Sequence, residues 1–123
     1  MLSRWTNFLN SDGEKDFRDR DNEFVDDINN KEELLNLWSK GWDCLFNTLE
    51  SLSETDLEKI VYIRNESHTV IESINRQLCH YSYHIGQIVY LGKIILEENW
   101  ESLSIPKDQS EKFNLKKFSI KKK

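Results

Sequence analysis

The chain has few residues that break helices, with one proline and four glycines among 123 residues. Turn-rich β architectures need such residues at many chain reversals, so their scarcity favours long helices. Hydrophobic residues make up 37% and charged residues 32% of the chain. That balance is typical of a globular domain and excludes an intrinsically disordered chain. The length fits one domain with a modest hydrophobic core.

Cysteine is also scarce, because Cys44 and Cys79 are the only two. They do not form a C-x-x-C pair, which excludes zinc-knuckle and thioredoxin-like spacing. We interpret both as free thiols in a reducing compartment. The sequence leaves a single disulfide open as the alternative.

The sequence has no excess of positive charge, and we expect neither a leader peptide nor a membrane span. Its net charge of −5 disfavours general nucleic-acid binding, because affinity for phosphates requires clustered positive charge. No apolar run approaches the roughly 20 residues that cross a bilayer, and the first residues lack the apolar run of a signal peptide. We therefore expect a cytoplasmic protein whose partners are neither nucleic acids nor membranes.

The spacing of apolar residues predicts the first two helices. Residues 1–9 have helical spacing but no N-cap, so we interpret them as the last turns of a helix. The charged stretch 11–30 predicts a long connection. Asn30 and Glu33 form a capping-box pattern that begins the next helix, whose apolar positions continue to Leu52.

The second half of the chain contains the longest predicted helix. Ser53 has the pattern of a cap for a short turn, and residues 60–63 predict a brief extended segment. Thr69 and Glu72 form another capping-box pattern, and the helix behind it extends to about residue 98. Its main apolar stripe consists of Ile71, Ile74, Leu78, Tyr81, Ile85, Ile88, Gly92 and Ile95. We therefore predict a helical domain over residues 1–100 and an extended, lysine-rich tail over residues 101–123.

Two histidines on this helix, His80 and His84, are the best functional clue. They are four residues apart, so their side chains project from one helical face. Two imidazoles in that arrangement can occupy adjacent positions on one divalent metal ion. Spacing alone favours a simpler interpretation, two partly buried histidines bonded to neighbours, because short motifs often match by chance. Catalytic zinc sites also have three protein ligands as a rule.

The residues around the pair resemble a known family. The run from Asn75 to Ile88, which contains His80, His84 and then Gly86-Gln87-Ile88, is similar to the last helix of the DinB-like (YfiT-like) superfamily of bacterial metalloproteins. Other similar segments are residues 1–5, residues 19–24, Trp38 with Gly41-Trp42, and residues 102–106. The resemblance covers nearly the whole chain and is closest to a branch known only as a domain of unknown function.

This resemblance implies an all-α, four-helix bundle in up-down-down-up order, with residues 11–30 as its long crossover. It also implies a three-histidine site for nickel or zinc, of which His80 and His84 would be two ligands. Characterised relatives are metal-dependent transferases and isomerases that use small thiols. The third family histidine precedes the segment that matches residues 1–5. We therefore expect a chain shortened at its N-terminus to about three helices, with an incomplete metal site.

Three further residues have both a functional and a structural interpretation. Arg76 could hold a carboxylate of the substrate, but we favour an ion pair with Glu72. His68 could replace the missing ligand, but we favour a loop or capping role. Tyr83 could reach the site or face solvent.

The carboxylates of the charged stretch are weaker candidates. Asp19, Asp21 and Glu23 could bind a metal or act as a general base. A solvated loop is the simpler explanation for such a run of charges.

Two functional hypotheses follow, and the sequence does not choose between them. The first is a divalent-metal-dependent enzyme, either a thiol-dependent S-transferase or a hydrolase, whose catalytic residues remain unknown. The second is a catalytically incomplete, non-enzymatic helical protein that forms a homodimer or binds a partner over uncovered apolar stripes. A third interpretation places Met1 inside a longer reading frame, whose upstream part would restore the missing histidine.

Overall fold

The computed structural model describes residues 1–119, and this part of the chain is mostly helical with one small antiparallel sheet. Its α-helices are, in chain order, α1 (Leu2–Trp5), α2 (Lys31–Glu50), α3 (Val70–Leu96) and α4 (Ser110–Phe118). The strands β1 (Ile60–Ile63) and β2 (Glu66–Thr69) lie between α2 and α3. Short 3-10 turns occupy Asn22–Phe24, Glu54–Asp56 and Glu97–Asn99. The predicted helical character is confirmed, whereas β2 was not predicted.

The long helices begin at the predicted caps. The Asn30 side chain accepts a hydrogen bond from the Glu33 N–H at 2.9 Å, which fixes the start of α2. At α3 the cap is reciprocal. The Thr69 N–H donates to the Glu72 carboxylate at 2.7 Å, and the Glu72 N–H donates to Thr69 Oγ1 at 3.2 Å. The bond from the Thr69 N–H lowers the pKa of the Glu72 carboxyl group.

A tight turn at Arg64 and Asn65 joins β1 to β2. These residues have φ values of 55° and 61°, in the left-handed region that a two-residue hairpin turn of type I′ requires. The resulting register places Val61 opposite His68 and Ile63 opposite Glu66. Asparagine is common at such positions but arginine is not, so the sequence gives only a weak turn signal.

Asp12, at the start of the 11–30 stretch, holds this turn in place. Its carboxylate accepts hydrogen bonds from the backbone N–H groups of Arg64 at 2.8 Å and Asn65 at 2.8 Å. It also accepts one from the Glu14 N–H at 2.7 Å. These bonds lower the pKa of the Asp12 carboxyl group, and the bond from Asn65 has the largest effect. The loop and the hairpin are therefore joined by one side chain.

The chain divides into two compact units, Met1–His80 and the part from Tyr81 onward. In the first unit α1 packs against α2, and the Thr48 hydroxyl donates to the Trp5 carbonyl at 2.9 Å. The buried apolar residues of the described chain all belong to this unit: Trp5, Phe8, Leu45, Val61, Ile63 and Val70. The core is therefore small for a chain of this length.

The second unit contains the C-terminal part of α3 and the segment behind it. Gly92 permits a close contact with Trp100, because a Cβ atom at that position would lie 2.9 Å from Trp100 Cζ3. None of the described helices is both long and apolar enough to cross a membrane.

The sequence predicts an extended C-terminal tail over residues 101–123, but part of that segment forms helix α4. Glu111 lies in its first turn, and Lys116 and Lys117 lie in its last, which complements the helix dipole. The Lys117 ammonium group also lies 5.5 Å from the centre of the Phe113 ring. The final lysines, residues 121–123, lie outside the described part of the chain.

The apolar stripe of α3 is more exposed than its pattern suggests. Leu78, Ile88 and Ile95 are 63%, 56% and 76% exposed. A period of 3.6 residues shows that a helix is amphipathic, but it does not show what covers the apolar face.

Candidate metal site

His80 and His84 both lie on α3 and are both exposed. Their four-residue spacing on one continuous helix places them on the same face, one turn apart. The helix is long enough to carry both residues well inside its ends, where the backbone is fixed by its own hydrogen bonds.

A hydrogen-bonded chain of side chains orients His84. The Nδ1 atom of His84 lies 3.3 Å from Oε1 of Gln87. The Gln87 amide nitrogen in turn donates to the Tyr83 hydroxyl at 3.0 Å. The Tyr83 and His84 rings also meet edge to face, with centroids 5.3 Å apart. Tyr83 thus belongs to the surroundings of His84, and Gln87 is a residue whose role the sequence did not indicate.

His68 and Arg76 lie together, eight residues apart in sequence. His68 Nε2 is 3.0 Å from Arg76 Nη1, and Arg76 Nη1 is 3.6 Å from a Glu66 carboxylate oxygen. Arg76 therefore pairs with Glu66, and the preferred partner Glu72 caps α3 instead. His68 belongs to β2 rather than to a loop or a cap.

Arg4 also lies near this basic group, which no pattern in the sequence predicts. Its pKa is lowered, first by burial and then by the positive charge of Arg76. Its Nε atom is buried and has no hydrogen-bond partner among the described residues. Only the packing of the first unit brings Arg4 near α3, so no local motif could have revealed it.

The loop carboxylates serve local structure. Glu23 forms a bidentate pair with Arg18, at 2.7 Å and 2.9 Å, and Arg18 lowers the pKa of the Glu23 carboxyl group. Asp19 accepts from the N–H of Asn22, the first residue of the following 3-10 turn, at 3.1 Å. Asp21 is exposed. These contacts agree with the simpler interpretation of a charged surface loop.

The donor chemistry fits a divalent metal at two positions. Neutral imidazole nitrogens are ordinary ligands of zinc and nickel, and a metal-bound histidine commonly donates its other ring N–H to an acceptor such as Gln87. Within residues 1–119, no three histidine, cysteine, aspartate or glutamate side chains converge on a point that could hold a metal. Cys44 and Cys79 are both free thiols.

Comparison with known proteins places the chain in a family. No curated protein and no solved structure matches it. One family model, described as "Protein of unknown function (DUF1572)", matches residues 1–109. This match spans most of the 123 residues. The chain therefore belongs to the DUF1572 family of proteins of unknown function.

Proposed function

We propose that this chain binds one divalent metal ion, zinc or nickel, through His80 and His84, as part of an enzyme of the DinB-like (YfiT-like) type. The observation that carries the proposal is the placement of both histidines on one face of α3, with the Nδ1 atom of His84 held by Gln87. A paired imidazole with an ordered outer contact is the usual form of a protein metal ligand.

The class of reaction follows from what such an ion supplies. A bound divalent ion lowers the pKa of a coordinated thiol or water, which gives a nucleophile at neutral pH. A thiol-dependent S-transferase is one outcome and a hydrolase is the other. In either case His80 and His84 would hold the ion, and the ion would supply an activated small thiol or water as the nucleophile.

Substrate recognition would use the basic residues that precede the pair. Arg76 lies one helical turn before His80 and is in contact with His68. A guanidinium group binds carboxylates in a bidentate manner, so Arg76 suits an anionic substrate group. Tyr83, whose ring contacts the His84 ring, would contribute to substrate binding beside His84.

We propose further that the metal site has a third ligand and that the complete fold is a four-helix bundle. The pair supplies two of the usual three protein ligands. We infer that the third comes from a second chain or from the thiol itself.

Zinc titration of the chain, prepared without a histidine tag, tests this function. Wild-type protein should bind about one ion per chain, and His84→Ala should weaken binding by about 100-fold or more, because one of two helix ligands is lost. His80→Ala should behave in the same way. A competition assay with a chromophoric chelator measures both affinity and stoichiometry.

His68→Ala is the matched control, because it removes the remaining histidine of the chain. Its zinc affinity should stay within about twofold of wild type, since no ligand is lost. Unchanged stoichiometry and affinity in His84→Ala would rule out the proposed site.

We propose as the second candidate that the chain is a non-enzymatic protein that associates with a second copy of itself. Ile88, Leu91 and Ile95 form one apolar row on α3, and they are 56%, 56% and 76% exposed. Exposed apolar rows of this kind drive association of helices. A dimer that covered this row would remove it from water in both copies.

Sedimentation velocity tests whether the chain forms the dimer of the second candidate function. Wild-type protein should sediment as a dimer, and the double variant Ile88→Glu/Ile95→Glu should sediment as a monomer, because two buried charges per chain oppose association. Tyr90→Glu is the control, since Tyr90 is 66% exposed on another face of the helix. A well-folded wild-type monomer at high concentration would exclude this candidate.

A further inference from the structure

One face of the β1–β2 hairpin is in contact with Arg76 of α3. Glu66 and His68 are two residues apart on β2, so their side chains lie on the same face of the hairpin. Ile63 lies opposite Glu66 and is buried on that face. Arg76 Nη1 contacts both β2 residues, at 3.0 Å from His68 Nε2 and 3.6 Å from a Glu66 carboxylate oxygen. The Arg76 guanidinium group therefore lies at the rim of this face.

Arg4 of α1 reaches the same face of the hairpin. The Gly13 N–H donates to the Tyr62 carbonyl at 2.8 Å, which holds the loop against β1. A Cβ atom at Gly13 would lie 2.8 Å from Arg4 Nε and 3.5 Å from Ile63 Cγ1. The Arg4 side chain therefore packs over Gly13 beside Ile63, in a place that a larger residue at position 13 would obstruct.

Arg4 has no carboxylate within ion-pair distance among the residues that the structure describes. The Glu14 carboxylate raises the pKa of Arg4, but it is already bonded to Arg18 at 2.8 Å and to Arg64 at 3.3 Å. Burial and the charge of Arg76 lower that pKa, and burial has the larger effect. Arg4 Nε is buried without a partner, whereas the terminal nitrogens of the same group are not buried. Such a partly buried charge costs free energy unless an anion compensates it.

His68 positions Arg76 without neutralising its charge. A guanidinium group only donates hydrogen bonds, so His68 Nε2 accepts from Arg76 Nη1. A carbonyl oxygen only accepts, so His68 Nδ1 donates to the Glu66 carbonyl at 3.1 Å. Both contacts require the same neutral form of the imidazole. The Glu66 side chain is 74% exposed, so its ion pair with Arg76 is weak and screened by solvent.

We propose that Arg4 and Arg76 form a binding site for a small oxyanion, the phosphate or carboxylate group of a small molecule, and that His68 positions Arg76 in it. Guanidinium groups suit this chemistry because each presents N–H donors in a planar fork that matches the oxygens of such groups. The ligand supplies the negative charge that Arg4 lacks. This inference rests on the anion-binding role proposed above for Arg76, but it does not require a bound metal.

Titration of the full, metal-free chain with inorganic phosphate and with acetate tests the site. Both titrations use one ionic strength, because salt screens charge attraction, and ¹H–¹⁵N spectra follow the binding. The buried Nε–H of Arg4 should exchange slowly with water and so give its own signal. Wild type should bind about one anion per chain with a Kd of about 1 mM or lower. The tighter of the two anions identifies the ligand group as phosphate or carboxylate.

Arg76→Gln should weaken binding of the preferred anion by about 10-fold or more, because one charge-assisted pair is lost. The Arg76 side chain is 52% exposed, so this variant should fold normally. Arg20→Gln is the matched control, since it removes the same charge from an exposed arginine that contacts Phe24. Its affinity should stay within about twofold of wild type.

Arg4→Met distinguishes binding from a structural role of Arg4. Methionine keeps an unbranched chain that packs at Gly13, and it removes the partly buried charge. The variant should therefore be at least as stable as wild type toward urea in the absence of the anion, while its anion affinity falls by about 10-fold or more. The rise in Tm that the preferred anion gives to wild type should be lost in both Arg4→Met and Arg76→Gln.

The outcomes separate this inference from metal binding. Wild type that binds neither anion overturns the oxyanion site, and so does an equal loss of affinity in Arg20→Gln and Arg76→Gln, which would indicate general charge attraction. Anion binding without zinc binding would exclude the metal function and support the oxyanion site. Zinc binding without anion binding would support the metal function and exclude the oxyanion site.

Discussion

Replacing Trp5 with alanine is expected to lower the free energy of unfolding of the first unit by about 3–5 kcal/mol. Trp5 is 1% exposed and its ring packs against Phe8 with centroids 4.7 Å apart. The Trp5 carbonyl also accepts from the Thr48 hydroxyl, so the residue joins α1 to α2. Few other buried apolar side chains share this core, and total stabilities of domains are only about 5–15 kcal/mol.

Urea unfolding followed by far-ultraviolet circular dichroism measures this loss. Phe17→Ala is the matched control, because Phe17 is an aromatic residue of the same unit that is 66% exposed. It should change stability by less than about 0.5 kcal/mol. A Trp5→Ala variant within about 1 kcal/mol of wild type would show that the small core does not hold the unit together.

A second substitution separates volume from polarity at this position. The Nε1–H group of Trp5 is buried without a hydrogen-bond partner among the described residues. Trp5→Phe removes that unsatisfied donor, which offsets part of the cost of the smaller ring. Its loss of stability should therefore be clearly smaller than that of Trp5→Ala.

Local patterns predicted the helix starts well. The caps at Asn30 and Thr69 and the turn after Ser53 all occur where the sequence placed them. The predicted extended segment is β1. Each of these features depends on residues within one turn of one another, which is the range over which propensity and capping act.

Features that depend on distant residues were not predictable. The hairpin needs Asp12 to bind a turn more than fifty residues away in sequence. The exposure of the α3 stripe depends on what packs against it, which periodicity does not specify. Helix α4 is short and its apolar pattern is weak, so the sequence predicts an extended tail there instead of a helix.

The same distinction between local and long-range features applies to the candidate site. The spacing of His80 and His84 could be read from the sequence because it lies within one helix. The contact of Gln87 with His84 depends on side-chain rotamers, and the pairing of Arg76 with Glu66 depends on the position of β2 beside α3. Arg76 with Glu72 has the better helical spacing, but the cap at Thr69 already occupies the Glu72 carboxylate.

Asp12→Ala is expected to lower the free energy of unfolding by about 1–2 kcal/mol. Three backbone N–H groups lose a charged acceptor, and hydrogen bonds to water compensate for part of that loss. Two of these donors belong to the hairpin turn, where Arg64 and Asn65 hold φ values that most residues avoid. Asp16→Ala, at an exposed aspartate of the same loop, is the control and should be close to neutral. Asp12→Asn should lie between them, since an amide supplies one oxygen and not two.

The same carboxylate predicts a dependence on pH. Its backbone hydrogen bonds lower the pKa of Asp12 in the folded chain, so its contribution is complete above the unfolded-state pKa of about 3.9 and is lost as the pH falls through the lower folded value. The stability difference between wild type and Asp12→Asn should therefore be largest at neutral pH and should shrink below about pH 4. Urea unfolding of both proteins across this pH range measures the stability difference. Because the other carboxylates are present in both proteins, their effect on stability at acid pH cancels in this difference. A difference that stays constant down to low pH would mean that the charge of Asp12 does not hold the hairpin turn.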